Sequence, residues 1–504
     1  MQANRYLLIF SVIAPTVMSM LMSTSVNVSI PAMAGTFGVT ADQVSWVITS
    51  YMVAMTVVLP LTGYLTDRMG RRNFLLTAIA GFVISSWLCG LAGSLVEMVL
   101  FRILQGAFGA AFVPLSRTIM VEAFPRNQAG RATAIWGMGV TVAPIFGPSL
   151  GGYLIEVFSW RWIFYINLPI ALVSLALAMR FVPAGVRRKR SLDWAGLATL
   201  ALGVGALQFV LDRGQREDWF DSGAICAAAA LSLASFTVFF ALGLAAHRRS
   251  IFELAIFRDR NFSLGCLVLS ATGVGMFGGN YLQPLYLDNV LHYPSMAAGL
   301  VLMSRGLGSL ASMSIAGRLT DRLNAKWVAL PGAVICVLGS WMMTRYNAQV
   351  AAGDLMLPLF LQGVGMGLMF VPLSTLAFTT LPLEKAAEAS GLFSLVRSIS
   401  AAIGVSTTST FLARSTDVQW SALREYVTPY NPAVREYLAP LGLELSAQGA
   451  EIVGRAVEAQ ARLSAFIDSF WFIAASYAVM IPLIMMVRGR AARPATAPLA
   501  EAAE

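Results

Sequence analysis

The stretch that decides the fold is Gly63-Tyr64-Leu65-Thr66-Asp67-Arg68-Met69-Gly70-Arg71-Arg72, a charged turn between two long apolar runs. The chain returns to it as Gly317-Arg318-Leu319-Thr320-Asp321-Arg322, again between apolar runs. A second pair of landmarks follows in the same order. Leu104-Gln105-Gly106 with Phe112-Val113-Pro114-Leu115-Ser116 comes back as Leu361-Gln362-Gly363 with Phe370-Val371-Pro372-Leu373-Ser374, one residue longer. Two matched landmarks in one order point to a duplicated chain that crosses a membrane many times. Parallel duplicated halves are one way in which secondary transporters are built.

Composition agrees. Of the 504 residues, 57% are hydrophobic and 12% charged, far from soluble averages, and mean hydropathy is +0.70. The net charge of +9 is nearly all Arg, because Lys189, Lys326 and Lys385 are the three lysines. In a polytopic chain such charge orients the helices, so nucleic acid is not the expected partner. Cys89, Cys226, Cys266 and Cys336 lie scattered in apolar runs, with neither metal spacing nor a disulfide framework. No lysine follows a glycine, so the phosphate-binding Gly-Lys-Ser/Thr loop of an ATP-driven pump is missing. His247 and His292 stand apart, and a polytopic acyl or glycosyl transferase would need clustered His or acids. The expectation is a transporter without catalytic residues, metal or cofactor. The run from Arg5 to Pro31 is longer than a signal-peptide core and reads as a retained first span.

A span needs roughly 20 apolar residues. Fourteen segments qualify, near 7–31, 44–66, 74–94, 98–121, 132–155, 161–182, 193–211, 223–246, 262–287, 297–320, 327–345, 355–380, 389–413 and 467–487. Basic residues gather after the even-numbered spans and in the tail, which places both termini in the cytoplasm. The landmarks of spans two and four recur at spans ten and twelve. Spans seven and eight are therefore an insertion between two six-helix bundles. The expected divisions are a first bundle (1–182), a two-helix insertion with its linkers (183–260), a second bundle (261–490) and a disordered tail (491–504). The second bundle includes an outer hydrophilic loop (415–466). Pro429, Pro432 and Pro440 break its first part, while Ile452, Ala456, Ala459, Leu463 and Phe466 recur at helical spacing into the last span. It reads either as a lid or as a docking surface.

Several constellations bear on mechanism. In the opening stretch Gly63 and Gly70 permit close approach and a tight turn. Asp67 and Arg68, with Arg71 and Arg72 beside them and Asp321 and Arg322 as the echo, suit a latch that holds one conformation. In span five Gly139, Ala143, Gly147 and Gly151 recur every four residues, with Pro144, Pro148 and Gly152 among them. The stripe lets a helix approach closely and the prolines soften the backbone, so it reads as a hinge interface between the halves. Arg102 and Gln105 share a face of span four with Gly106 and Gly109. Arg305, Arg397, Asn27, Asn280, Gln283 and Gln362 add polar groups at membrane depth, and together they suggest a central polar path for substrate and protons. Arg117 lies nearer the inner end and suits snorkelling. Met and aromatic side chains such as Met366, Met369 and Phe370 would suit a cavity for bulky apolar or cationic ligands.

These residues resemble the major facilitator superfamily, in its fourteen-span drug:proton antiporter branch of EmrB/QacA type. Gly63–Arg72 resembles the loop motif after the second helix, Arg102-x-x-Gln105-Gly106 the fourth-helix motif, and Gly139–Gly152 the fifth-helix antiporter motif. Val26–Pro31, Ser159–Pro169 and Leu207–Gly214 carry the likeness further, toward EmrB-type pumps. The resemblance implies proton-driven export of amphipathic or cationic compounds from the bacterial inner membrane. It also implies a periplasmic adaptor protein and an outer-membrane channel as partners, which favours docking for the outer loop. One position departs from the branch, where an Asp commonly precedes the first-helix Asn by five residues. Here it is Met22. Glu156, Asp288 and Asp468 are then the candidate proton carriers. The alternative substrate is a specific anionic amphiphile such as a fatty acid, siderophore or lipid precursor, because the arginines have no matching acid.

Overall fold

The computed structural model describes residues 2–44, 46–124, 128–185, 187, 193–215, 217–245, 254–381, 386–428, 430–441 and 447–486. The expected disordered tail, 491–504, and most of both linkers of the insertion lie outside them. Every regular element described is helical. Twelve described helices are long and apolar enough to cross a membrane, or thirteen with one bent pair taken as a single span.

The first half begins with α1, Gln2–Val28. The bent pair follows as α2, Trp46–Val58, and α3, Leu61–Met69, meeting at 59°. Pro60 lies in the break, where a missing amide hydrogen bond allows the kink. Next come α4, Arg71–Leu91, α5, Leu95–Gly109, and α6, Phe112–Ala123. The half closes with α7, Ala129–Val157, and α8, Asn167–Phe181. Between α3 and α4 the chain turns on Gly70, whose φ of +78° is strained for any residue with a side chain. This end of the bundle is the motif face.

The pair expected as the insertion is α9, Trp194–Arg213, and α10, Gly223–Ala245. Its first helix docks on α2. Thr49 donates to the Asp212 carboxylate at 2.5 Å, and Phe209 stacks on Trp46. Its second helix is the least buried of the candidate spans, at 22%, and so lies at the periphery.

The second half runs through α11, Arg260–Gly273, a π turn over Val274–Gly278, and α12, Gly279–Asn289. Then come α13, Ser295–Arg322, α14, Ala325–Met343, and α15, Ala352–Thr379. Two very long helices follow, α16, Ala386–Arg424, and α18, Ala447–Met486, with the short α17, Pro432–Leu438, between them.

The hydrophilic segment 415–466 is therefore no open loop. Both flanking helices continue into it, and α17 packs on α18 through Val434, Leu438 and Val453. The helical spacing from Ile452 to Phe466 belongs to α18, as expected. The continuation of α16 to Arg424 departs from the expected loop, because Ser415, Thr416, Asp417 and Gln419 carry no apolar run to mark a helix. Asn431 starts α17 by accepting the Ala433 amide at 3.0 Å, and Pro432 fills the first helical position.

Candidate functional site

Each half contains one buried cluster built around an arginine. In the first, Arg102 is fully buried on α5. Its Nε donates to the Val47 carbonyl at 3.0 Å and its Nη1 to Gln105 Oε1 at 2.7 Å. Its guanidinium lies 4.2 Å from the centre of the Tyr51 ring. Gln105 passes the contact on, donating to Ser86 at 2.6 Å and to the Met22 sulfur at 3.5 Å. Asn167 donates to the same sulfur at 3.3 Å. An arginine at the centre of a span costs roughly 2.5–3.5 kcal/mol on insertion scales. Two charge-assisted hydrogen bonds, each about 1.5–3 kcal/mol, and a desolvated cation–π contact of about 2 kcal/mol offset it. Arg102 is held by dipoles and a ring where an acid would be expected.

The second half repeats the design with different helices. Arg305 on α13 donates to Gln283 Oε1 at 2.8 Å. Gln283 donates to Gln362 at 2.9 Å, and Gln362 to Ser340 at 3.0 Å. Gln105 and Gln362 are the matched landmarks. Ser86 and Ser340, like Tyr51 and Arg305, stand at the offset of Gly63 and Gly317. A Cβ on Gly106 would lie 2.4 Å from the Tyr51 carbonyl, and one on Gly363 would lie 2.0 Å from that of Arg305. The two glycines thus admit the same close helix approach in both halves. Gln283 contacts Gln362 in the second half as Met22 contacts Gln105 in the first. The expected central path is therefore two separate networks, one inside each half. Asn27 and Asn280 are exposed and belong to neither.

The glycine stripe of α7 packs inside the first half, not between the halves. A Cβ at Gly139 would lie 2.8 Å from Ile13, and at Gly147 1.9 Å from Thr24 Oγ1. At Gly151 it would meet Ser25 at 3.0 Å, and Ser25 donates to the Gly147 carbonyl at 2.7 Å. Helix α1 fills the groove. Ala143 is buried, whereas Gly152 faces open space. The side chains of Pro144 and Pro148 lie outside the described residues. In the second half a Cβ on Gly404 of α16 would lie 2.2 Å from the Gly273 carbonyl, the same kind of contact one repeat later. Sequence spacing revealed the stripe but not its partner, since periodicity identifies a face and not what covers it.

The halves meet at the motif face. The Gly130 amide, at the start of α7, donates to Asp321 Oδ1 at 2.8 Å. A Cβ on Gly317 would lie 2.7 Å from that of Ala134, and Trp136 stacks on Phe370. Thr56 and Ser398 share a hydrogen bond at 3.0 Å. Arg117 does not snorkel. It crosses from α6 into the second half, donates to the Ser374 carbonyl at 2.7 Å and lies 4.0 Å from the Phe378 ring centre. Of the latch residues, Asp321 joins the halves. Arg71 pairs with Glu122, Arg72 reaches the Met179 carbonyl, and Arg68 donates to Tyr64 at 2.7 Å, all within the first half. Gly63 and Asp67 lie on α3, and Arg322 is exposed at the end of α13. Glu156 and Asp288 are exposed near helix ends. Asp468 accepts from Ser415 at 2.8 Å and Gln419 at 3.0 Å, the residues of α16's unforeseen extension.

Two helical halves with matched clusters have counterparts among known proteins. The pattern of the Major Facilitator Superfamily matches residues 13–405. The chain belongs to the major facilitator superfamily. Among superfamily relatives, it is 33% identical over 481 residues to the multidrug export protein EmrB of Haemophilus influenzae, with 94% of each chain covered. It is 32% identical to EmrB of Escherichia coli K12, over 94% of this chain and 93% of that one. The fatty acid resistance protein FarB of Neisseria gonorrhoeae is also 32% identical, with 94% of each covered. The superfamily fold is shared with the proton:xylose symporter XylE, at TM-score 0.62 and 15% identity over 97% of both chains. It is shared too with the human organic anion transporter MFSD10, at TM-score 0.59 and 13% identity, over 94% of this chain and 99% of that one. The chain is a multi-pass membrane transporter, not an enzyme.

Proposed function

We propose that this superfamily member is a proton-driven exporter of amphipathic or cationic compounds, working by alternating access in a bacterial inner membrane. The observation that carries the reading is the joint at the motif face. Each half is braced internally by its own arginine cluster. The halves are tied together there by Asp321, Arg117 and paired rings. Such rigid halves can rock when one set of interface contacts breaks. The chain then has fourteen spans, with α7 as the fifth, and both termini in the cytoplasm. The motif face is cytoplasmic, so the structure represents a state closed on that side. Asp67, Arg68, Asp321 and Arg322 act in the latch, and the α1–α7 glycine groove packs two helices closely so that the first half moves as one body. Glu156, Asp288 and Asp468 remain the candidate carriers, Asp468 being the one held by two side chains. The hairpin of α16, α17 and α18 is the docking surface for a periplasmic adaptor that leads to an outer-membrane channel.

Relatives named for multidrug export support the substrate class. A second reading, export of an anionic amphiphile, is favoured by one observation. Among the described residues Arg102, Arg305 and Arg397 form no ion pair. Expression in cells stripped of their own efflux pumps tests the proposal. Several cationic dyes should accumulate less, and a protonophore should abolish the difference. Unchanged accumulation of every dye and of long-chain acids would overturn it.

A further inference from the structure

Two guanidinium groups, one from each half, are charged neighbours at the joint, and neither forms an ion pair among the described residues. Arg117 comes from α6 of the first half. Arg397 comes from α16 of the second and is the charged neighbour of Arg117. Phe393 and Arg397 lie one turn apart on the same face of α16. The Arg117 guanidinium lies 4.8 Å from the Phe393 ring centre and 5.4 Å from that of Trp136.

The two are not alike. Arg117 is satisfied by the Ser374 carbonyl and by the faces of its surrounding rings. Arg397 makes no hydrogen bond or ion pair among the described residues, and it is partly exposed. Helix α16 begins at the motif face, where Gly391 lies against Thr62 and Leu59. Arg397 therefore lies one turn further along α16 from the motif face than Phe393 of the Arg117 cage, within a candidate membrane span. An unpaired cation at such depth is costly, and a like charge beside it raises the cost.

We propose that Arg397, backed by Arg117, receives the carboxylate head group of an amphiphilic anion between the halves. The inference rests on the export function proposed above and names a substrate class for that same pathway. A guanidinium fork matches the two oxygens of a carboxylate, which supplies the missing negative charge. An adaptable apolar wall lies nearby. Met276, Met313, Met366, Met369 and Phe370, with Thr272 and Ser309, line a space of about 10 Å³, no larger than a water, and Phe370 stacks on Trp136 of the Arg117 cage. Methionine side chains can move aside for a tail that this closed state does not admit. The site lies on the interface that opens and closes, so a bound carboxylate would leave with the gate movement.

The test uses the purified full-length protein and three probes. These are cis-parinaric acid, its methyl ester and tetraphenylphosphonium, titrated by fluorescence or by competition. The acid should bind at least about tenfold tighter than the ester, as expected for a charge-assisted contact. Arg397→Gln should erase that difference while the ester and the cation bind as before. Arg397→Lys should restore part of it. Equal binding of acid and ester by the unaltered protein would overturn the proposal. So would an Arg397→Gln variant that weakens all three probes together. Displacement of the acid by phosphatidylglycerol as readily as by laurate would assign the site to a lipid phosphate and overturn it too. Binding of the cation without the acid would sink this inference alone. Failure to bind any of the three would sink the export function as well.

Discussion

Asp321 accepts the amide of Gly130 at 2.8 Å, so an acid from the second copy of the opening motif caps the longest helix of the first half. This contact joins charge to a helix N-terminus, which favours a carboxylate by about 0.3–1 kcal/mol beyond the hydrogen bond itself. Losing the cap altogether costs about 0.5–2 kcal/mol. Asp321→Ala should therefore loosen the motif face, with Asp321→Asn intermediate. A single cysteine placed at Thr133, with Cys89, Cys226, Cys266 and Cys336 replaced, reports on that opening. Its labelling by a thiol reagent should rise about 5- to 30-fold in Asp321→Ala. An unchanged rate would mean the contact does not hold the gate.

Two glycines of one motif should respond differently. Gly147→Ala would place Cβ 1.9 Å from Thr24 Oγ1 and 2.8 Å from the Leu21 carbonyl, so α1 must move away. Overpacking of this kind costs about 1–3 kcal/mol. Gly152→Ala meets nothing within 4 Å. Thermal unfolding in detergent should show a lowered midpoint for the first and an unchanged one for the second. Equal behaviour would contradict the α1–α7 packing.

Removing Arg102 should abolish transport without destroying the fold. Arg102→Ala discards a buried charge together with its contacts, which limits the net loss of stability. Abundance and melting should stay close to normal while transport falls at least about tenfold. Arg102→Lys should recover little, because one ammonium cannot reproduce the fork that serves both Gln105 and Val47. Undiminished transport by Arg102→Ala would show the cluster to be only structural.

Deleting Ser415–Ala450 separates docking from transport. The deletion removes α17 and the α16 extension, including the Ser415 and Gln419 contacts to Asp468. Transport by the isolated protein should survive, whereas efflux across the whole envelope should be lost. Normal efflux by intact cells would make the hairpin a dispensable cover.

Much of the fold was legible because membrane spans and repeats are written in composition. Apolar runs of sufficient length, the Gly63 and Gly317 turns and the Gln105 and Gln362 landmarks were enough to reveal an all-helical membrane fold with matched halves. The α18 arm of the hairpin was legible from its helical spacing, whereas the α16 extension and α17 were not, since short polar helices lack an apolar run or stripe to mark them. Site chemistry was half visible. Arg102 and Gln105 were recognisable as one face of a helix, and Arg305 stood out as a charge in a span. Their separation into two networks depends on neighbours far away in sequence, such as Met22 with Gln105 and Gln283 with Gln362. Arg117 was misjudged for the same reason. Depth along a helix suggested snorkelling, but Ser374, Phe378 and Phe393 of the other half hold its guanidinium.

The central claim is exchange of an amphipathic compound for protons. It is tested most directly in proteoliposomes that contain the purified protein, an imposed pH gradient and a panel of cationic, neutral and anionic amphiphiles. The account predicts accumulation of several of these compounds that follows the gradient and collapses when it is dissipated. Transport that ignores the gradient, or no transport of any member of the panel, would contradict it.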